Sequence, residues 1–224
     1  ANVYCFINEL SRRLPDGMTT VVGNGSACVV GSQAYIIKQG QRFIINSAIA
    51  SMGYDLPASI GACIAGGRKE VVCVTGDGSF QMNLQELQTI IHNKLPIKIF
   101  VINNDGYHSI RQTQLHYFGE PLVGIGGDSG DLSFPVLKKI AEAYGYPYFE
   151  IRNNSEMNVL DNVLKAEGAF ICEVFVSKEQ LFEPKAASRQ LEDGTIVSAP
   201  LEDLAPFLQE DELAGNMFIP LINK

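Results

Sequence analysis

Two short runs carry residue types suited to cation and phosphate chemistry. Gly76-Asp77-Gly78-Ser79 follows directly on the apolar, β-branched stretch 70–75, and Asn103-Asn104-Asp105-Gly106-Tyr107 closes the next such stretch, which begins at residue 97. A carboxylate set between two glycines at a strand end permits a tight turn and close ligand approach. Asn83-Leu84-Gln85-Glu86 has capping-box spacing, with Asn in place of Ser or Thr, so a helix N-terminus is expected to face the same crevice and to suit a phosphate. A carboxylate beside a phosphate requires a hard cation between the two anions. The Asp77 carboxylate, an Asn104 amide oxygen and the Gly106 carbonyl form an oxygen-only set that, completed by diphosphate oxygens and water, suits Mg²⁺. Either run alone fits an ordinary turn. Their separation by one βα unit on consecutive buried strands favours a shared site.

The elements that must position these residues alternate along the chain. Val3, Phe6, Ile7, Leu10 and Leu14 repeat at helical spacing before the Pro15-Asp16-Gly17 turn. Strands are expected at 19–23, 42–45, 70–75, 97–103, 148–151 and 169–176, with helices to about residue 35 and over 53–65, 84–92, 134–144 and 155–165. The segment 105–133 is poor in hydrophobic periodicity and rich in glycine, so a long functional connection is expected there. Short apolar strands alternating with helices predict an α/β fold of three layers: about six mostly parallel strands with helices on both faces. Ligands then bind beyond the carboxyl ends of the strands. Residues 1–176 read as this domain. Residues 177–224, punctuated by Pro184, Pro200, Pro206 and Pro220, read as an extended tail packed on it or on a partner subunit.

Composition narrows the function classes. The 224 residues are 46% hydrophobic and 19% charged, which excludes a disordered chain. Lys and Arg number 17 against 25 Asp and Glu, a net charge of −8 without a basic cluster, so nucleic acid is not an expected partner. No apolar run approaches the roughly 20 residues that a bilayer demands, and no signal peptide is visible. The five cysteines at 5, 28, 63, 73 and 172 are odd in number and lack C-x-x-C spacing, which suits a reducing, cytoplasmic setting better than disulfides or zinc.

The pattern running from Gly76-Asp77-Gly78 to Asn103-Asn104 resembles the signature of thiamine diphosphate-dependent enzymes. Ser51-Met52-Gly53-Tyr54-Asp55-Leu56-Pro57-Ala58-Ser59-Ile60-Gly61-Ala62 is similar to a segment of the acetolactate synthase-like members. Phe182-Glu183-Pro184-Lys185 and Leu191-Glu192-Asp193-Gly194 resemble their carboxyl end. The resemblance, over about residues 15–210, is to the C-terminal diphosphate-binding domain.

That resemblance implies thiamine diphosphate and Mg²⁺ as cofactors, with Asp77, Asn104 and the Gly106 carbonyl on the metal. It implies that Gly76, Gly78 and Ser79, together with Gly25 and Ser26 at the first strand end, hold the diphosphate. Gly23-Asn24-Gly25 is not a dinucleotide fingerprint, because Cys28 stands where the third glycine would be. Met52 matches the residue that props the cofactor in its bent form, and the Ala50 carbonyl matches the acceptor of its amino group, where many relatives have glycine. Tyr107, His108 and Ser109 would line the diphosphate or substrate side, with His108 a candidate acid/base group.

The implied reaction is decarboxylation of a small 2-oxo acid, or transfer of the acyl unit to an acceptor. The chain has no Trp, so the family's substrate-selecting tryptophan is missing and the acceptor stays open. The family's activating glutamate belongs to a separate pyrimidine-binding domain, and Glu9 and Glu86 do not match it. A partner is therefore expected, as part of a longer chain or as another subunit in a homodimer or homotetramer. The alternatives are a separate subunit of a 2-oxo acid decarboxylase and a non-catalytic, Mg²⁺-dependent phosphate-binding module.

Overall fold

Six apolar stretches of the chain pair into one sheet, and the spacing of apolar residues between them sends a helix back across one face or the other. The computed structural model describes residues 1–190 and 193–220. The elements of its first part run α1 (Val3–Arg13), β1 (Thr19–Val22), α2 (Ser26–Ala34), β2 (Arg42–Ile45), α3 (Asp55–Ala65), β3 (Val71–Gly76), α4 (Asp77–Gln81), α5 (Glu86–His92), β4 (Ile97–Asn103), α6 (His108–Tyr117), α7 (Leu137–Tyr144), β5 (Tyr148–Ile151), α8 (Val159–Val163) and β6 (Phe170–Phe175). The strands form an all-parallel sheet in the order β2-β1-β3-β4-β6-β5. Chain direction across the sheet reverses between β1 and β3, which opens a crevice at the carboxyl ends of these two neighbours.

The strands are buried on both faces, and side-chain alternation assigns each residue to one layer. Val71, Cys73, Ile97, Ile99, Val101 and Ile171 pack with Leu56 and Cys63 of α3, Leu87 and Ile90 of α5, and Leu137 and Ala141 of α7. On the opposite face Phe6 of α1 lies 5.8 Å, ring to ring, from Phe100, which meets Phe170 edge-on at 5.5 Å. Lys98 of β4, buried in the sheet, is paired at the amino end with Glu70 at 2.8 Å and with the Leu164 carbonyl. Polar residues at the carboxyl end are arranged differently, as described below. All five cysteines are free thiols.

Two expectations are corrected. Segment 105–133 is not without regular structure, since it contains α6 and a short 3-10 turn, Gly127–Ser129. The buried residues of α6 are His108 and Arg111, so its inward stripe is polar and leaves no hydrophobic period to read. Asn83 does not cap a helix. Its Nδ2 donates to the Gly53 carbonyl at 2.6 Å, and α5 starts without a side-chain cap. The helix that begins at the strand end is the five-residue α4.

Residues 181–224 form a second compact unit, described here by itself. It holds an antiparallel pair, β7 (Ser188–Gln190) with β8 (Ile196–Ser198), a bridge between Lys185 and Ala205, and α9 (Glu210–Gly215). Leu191 and Glu192 of the tail motif lie outside the described residues. Among the described residues no helix is long and apolar enough to cross a membrane.

Truncating Phe100 removes the ring that joins α1 to the sheet. Phe100→Ala is expected to cost about 3–5 kcal/mol in unfolding free energy, with the denaturant m-value unchanged. A loss below 1 kcal/mol in urea titration would contradict this packing.

Candidate cofactor and metal site

The register of β3 and β4 brings the two polar runs together. Gly76 pairs with Ile102, so the chain leaves both strands at the same level and Asp77 stands beside the Asn103-Asn104 exit. The Asp77 carboxylate closes the gap: Oδ2 accepts the Gly106 N–H at 2.9 Å and Oδ1 accepts the Gly78 N–H at 2.8 Å. The residue is only 8% exposed. Burial pushes its carboxyl up to about 6 and the nearby Asp105 charge adds to this, while the Gly106 and Gly78 amides act in the opposite direction.

Asn104 reaches the first strand instead. Its Nδ2 donates to Ser26 Oγ at 2.9 Å, at the start of α2, which leaves Oδ1 as the amide atom available to a cation. The Gly106 carbonyl accepts the His108 N–H at 3.0 Å and keeps a second lone pair. Gly106 itself has φ +130°, and a Cβ there would overlap the Ile125 carbonyl, so this loop position demands glycine. Gly78 is required for a different reason, because the Tyr107 ring lies where its Cβ would be. Tyr107 in turn meets Phe134 edge-on at 5.7 Å.

A second buried carboxylate, absent from the sequence-based candidates, organises the other side of the crevice. Asp55, in the first turn of α3, accepts from Thr75 Oγ1 at 2.9 Å and from Ser79 Oγ at 2.7 Å. Burial raises its pKa, and the bonds from Ser79 and Thr75 partly offset that. Ser79 Oγ also accepts the Gly53 N–H at 2.8 Å, so the loop carrying Met52 is tied to the start of α4. The Ser79 amide lies in the first turn of α4, where a helix has no internal acceptor to offer it. Gly23 at the end of β1 makes room for Asp55, since a Cβ there would overlap Oδ2. The only sequence signal for Asp55 is a carboxylate at a helix start inside an otherwise apolar segment.

Thus Ser26, Gly53 beside Met52, Asp77 with Gly78 and Ser79, and Asn104 with Gly106 and Tyr107 are linked at one end of the sheet. Gly25 has φ +84° at the α2 cap, and Gly76 is extended at the α4 cap. Ala50 has φ +55°, a left-handed conformation that favours glycine. The Ala50 amide donates to the Asn46 carbonyl at 3.0 Å.

His108 turns away from Asp77. Its Nε2 lies 2.7 Å from the Gln180 carbonyl and 3.0 Å from Gln112 Nε2, and its Nδ1 lies 3.2 Å from an Arg111 nitrogen. With both nitrogens engaged and the ring buried, its geometry suits holding the loop better than moving a proton.

Whether these residues suit a hard cation is a matter of donor chemistry. No group of three or more His, Cys, Asp or Glu side chains occurs among the described residues, which leaves no thiolate or imidazole site. One buried carboxylate, one amide oxygen and one carbonyl fit a cation whose remaining positions are filled by diphosphate oxygens and water.

A family model described as "Thiamine pyrophosphate enzyme, C-terminal TPP binding domain" matches residues 23–174. The acetolactate synthase large subunit of Porphyra purpurea is 36% identical over 157 residues, which cover 70% of this chain and 26% of that protein. The acetolactate synthase isozyme 2 large subunit of Escherichia coli (strain K12) is 30% identical over 173 residues, 77% of this chain and 31% of that protein. The acetolactate synthase of Arthrospira platensis is 29% identical over 181 residues, covering 80% and 30%. The chain therefore spans about a quarter to a third of the length of the curated relatives it matches.

The raised pKa of Asp77 has a stability consequence whose sign is fixed. In acid the carboxyl is protonated in both folded and unfolded chains. As pH rises the unfolded chain ionises first, so the contribution of Asp77 to stability is lost between pH 4 and pH 6. Without divalent metal, the unfolding free energy of wild type relative to Asp77→Asn is expected to fall over that window by about 3 kcal/mol at most. A pH-independent difference in denaturant titrations would show that Asp77 is not desolvated.

Proposed function

We propose, from the premise that this chain belongs to the thiamine pyrophosphate enzyme family as its C-terminal TPP binding domain, that it is the diphosphate- and Mg²⁺-binding part of an acetolactate synthase-like enzyme. The enzyme would act on a small 2-oxo acid as a lyase or transferase, by decarboxylation or carboligation. The observation that carries the metal reading is the buried Asp77 carboxylate, which joins the ends of β3 and β4 through the Gly106 amide. A carboxylate withdrawn from water at such a cost is understandable where a cation replaces the lost solvation.

In this reading Asp77, Asn104 Oδ1 and the Gly106 carbonyl hold Mg²⁺. The Ser79 amide, with Gly25, Ser26, Gly76 and Gly78 around it, receives the diphosphate, the Gly78 N–H being held by Asp77. Met52 and the Ala50 carbonyl support the far end of the cofactor, on the loop that the Gly53–Ser79 bond holds in place. When bound, thiamine diphosphate supplies the carbon nucleophile and electron sink for 2-oxo acid chemistry. Here the protein's part is binding, orientation and exclusion of water, with Tyr107 packed over Gly78 screening one side. The glutamate that activates such a cofactor would come from a pyrimidine-binding domain, in the same longer chain or in a partner subunit of a homodimer or homotetramer. A cytoplasmic setting is consistent with five free thiols.

Calorimetry tests the site directly. Thiamine diphosphate is expected to bind only with Mg²⁺ present, to lose affinity as pH falls below about 6 because protons compete for Asp77, and not to bind Asp77→Ala. Equal affinity in the presence of a chelator would remove the metal assignment. The chain alone, even when loaded, is expected to turn over no 2-oxo acid until a pyrimidine-binding domain is supplied. Activity of the isolated chain would show that no second domain is needed.

A further inference from the structure

We infer that Arg111 is a positioning residue that sets the orientation of two consecutive peptide planes in the Asn104–Gly106 loop and thereby presents this loop to the metal; the inference rests on the metal reading above. Arg111 lies on α6, three residues after His108, and is 3% exposed. Its NH1 donates to the Asn104 carbonyl at 3.0 Å and its NH2 to the Asp105 carbonyl at 2.8 Å. Nε lies 3.3 Å from Asp128 Oδ2, close enough for ion pairing though not aligned for a hydrogen bond. A single buried cation thus takes the two main-chain oxygens that immediately precede Gly106.

A trans peptide points its C=O and N–H in opposite directions, so fixing one fixes the other. The 105–106 peptide gives its carbonyl to Arg111 and its N–H to Asp77 Oδ2. The 104–105 peptide gives its carbonyl to Arg111 and its N–H to Asn103 Oδ1 at 3.0 Å. Both planes are therefore held from both sides, and Arg111 provides the hold on the side away from the site. Between them Asp105 sits at φ +57°, a left-handed conformation that a non-glycine residue keeps only when its surroundings enforce it.

Lys178 supports the same arrangement from outside, bonding Asp105 Oδ2 at 2.8 Å and Asp128 Oδ1 at 2.7 Å. The half-exposed Lys178 bonds side chains of the two loops through its ammonium, whereas Arg111 bonds the peptides themselves. The planar fork of a guanidinium spans two carbonyls at once, which a single ammonium centre does not reproduce.

The test compares wild type, Arg111→Lys and Arg111→Ala in the full-length protein. Two quantities are read: hydrogen exchange of the Asp105 and Gly106 amides without metal, and binding of Mn²⁺, followed by its paramagnetic resonance signal as a stand-in for Mg²⁺. Both variants are expected to lose amide protection by roughly tenfold or more and to weaken Mn²⁺ binding about 10- to 100-fold. Guanidinium ion at sub-denaturing concentration is expected to restore part of both losses in Arg111→Ala and none in Arg111→Lys. If Arg111→Ala does not fold, Arg111→Lys carries the test. Protection and Mn²⁺ affinity within twofold of wild type in Arg111→Lys would overturn the inference. Loss of protection in the variants, with no Mn²⁺ binding even in wild type, would support the hold on the loop and remove the metal reading instead.

Discussion

The bond between the Asp77 carboxylate and the Gly106 amide spans the ends of two neighbouring strands, and most of the crevice is arranged around keeping it in place. Parallel pairing of β3 with β4 over six residue pairs brings the two exits level, so one carboxylate reaches across without distorting either loop. Glycine is required on both sides of it, because the Tyr107 ring at Gly78 and the Ile125 carbonyl at Gly106 leave no room for a Cβ. The same interaction explains why the carboxyl is driven upward in pKa, since the loops that bind it exclude the water that would otherwise stabilise its charge.

A binding site assembled in this way destabilises the fold that carries it, and the rest of the domain offsets that. Strands buried on both faces, aromatic contacts from Phe6 to Phe100 to Phe170, and the Lys98–Glu70 pair at the amino end make up a conventional, well-satisfied core. At the carboxyl end the buried polar groups are satisfied mainly by one another and by main chain: Asp55 by Thr75 and Ser79, Glu173 by Asn103 at 2.5 Å, and the loop carbonyls by Arg111. Concentrating buried polar groups in one place costs stability and gives a preorganised set of donors. Such a division between a stable end and a working end follows from the parallel sheet, whose loops on one side all face the same crevice.

The family to which the chain belongs shares this domain within proteins three to four times the matched length. In the proposed reading the geometry serves to bind an anion with its cation and to orient the loops that receive them. The proposed division of labour with a pyrimidine-binding partner agrees with the crevice, whose carboxylates, Asp77 and Asp55, are both engaged in holding structure.

The linear order of residues was enough to determine the six strands of the parallel sheet, the α/β class and the donor types in the two glycine-flanked runs, but not the β7–β8 pair in the stretch that reads as an extended tail. Apolar β-branched stretches can be buried in few other ways, and Asp77 and Asn104 carry their donor types wherever the chain takes them. Ser26 and Ser79 could be named as candidates from that order, whereas their bonds to Asn104 and to Asp55 and Gly53 come from the fold. Asp55, Arg111 and Glu173 were not legible, because nothing in their neighbours' periodicity marks a buried polar residue as a partner for a distant loop. Helix α6 escaped for the same reason, as its inward stripe is His108 and Arg111 rather than apolar. Asn83 was misread as a cap because its local spacing is right, while its amide finds a better acceptor in Gly53, thirty residues away. Local pattern decides what each segment can bury, whereas the partner of a polar group is set by whichever donor or acceptor the fold brings within about 3 Å, and only the assembled sheet supplies that distance.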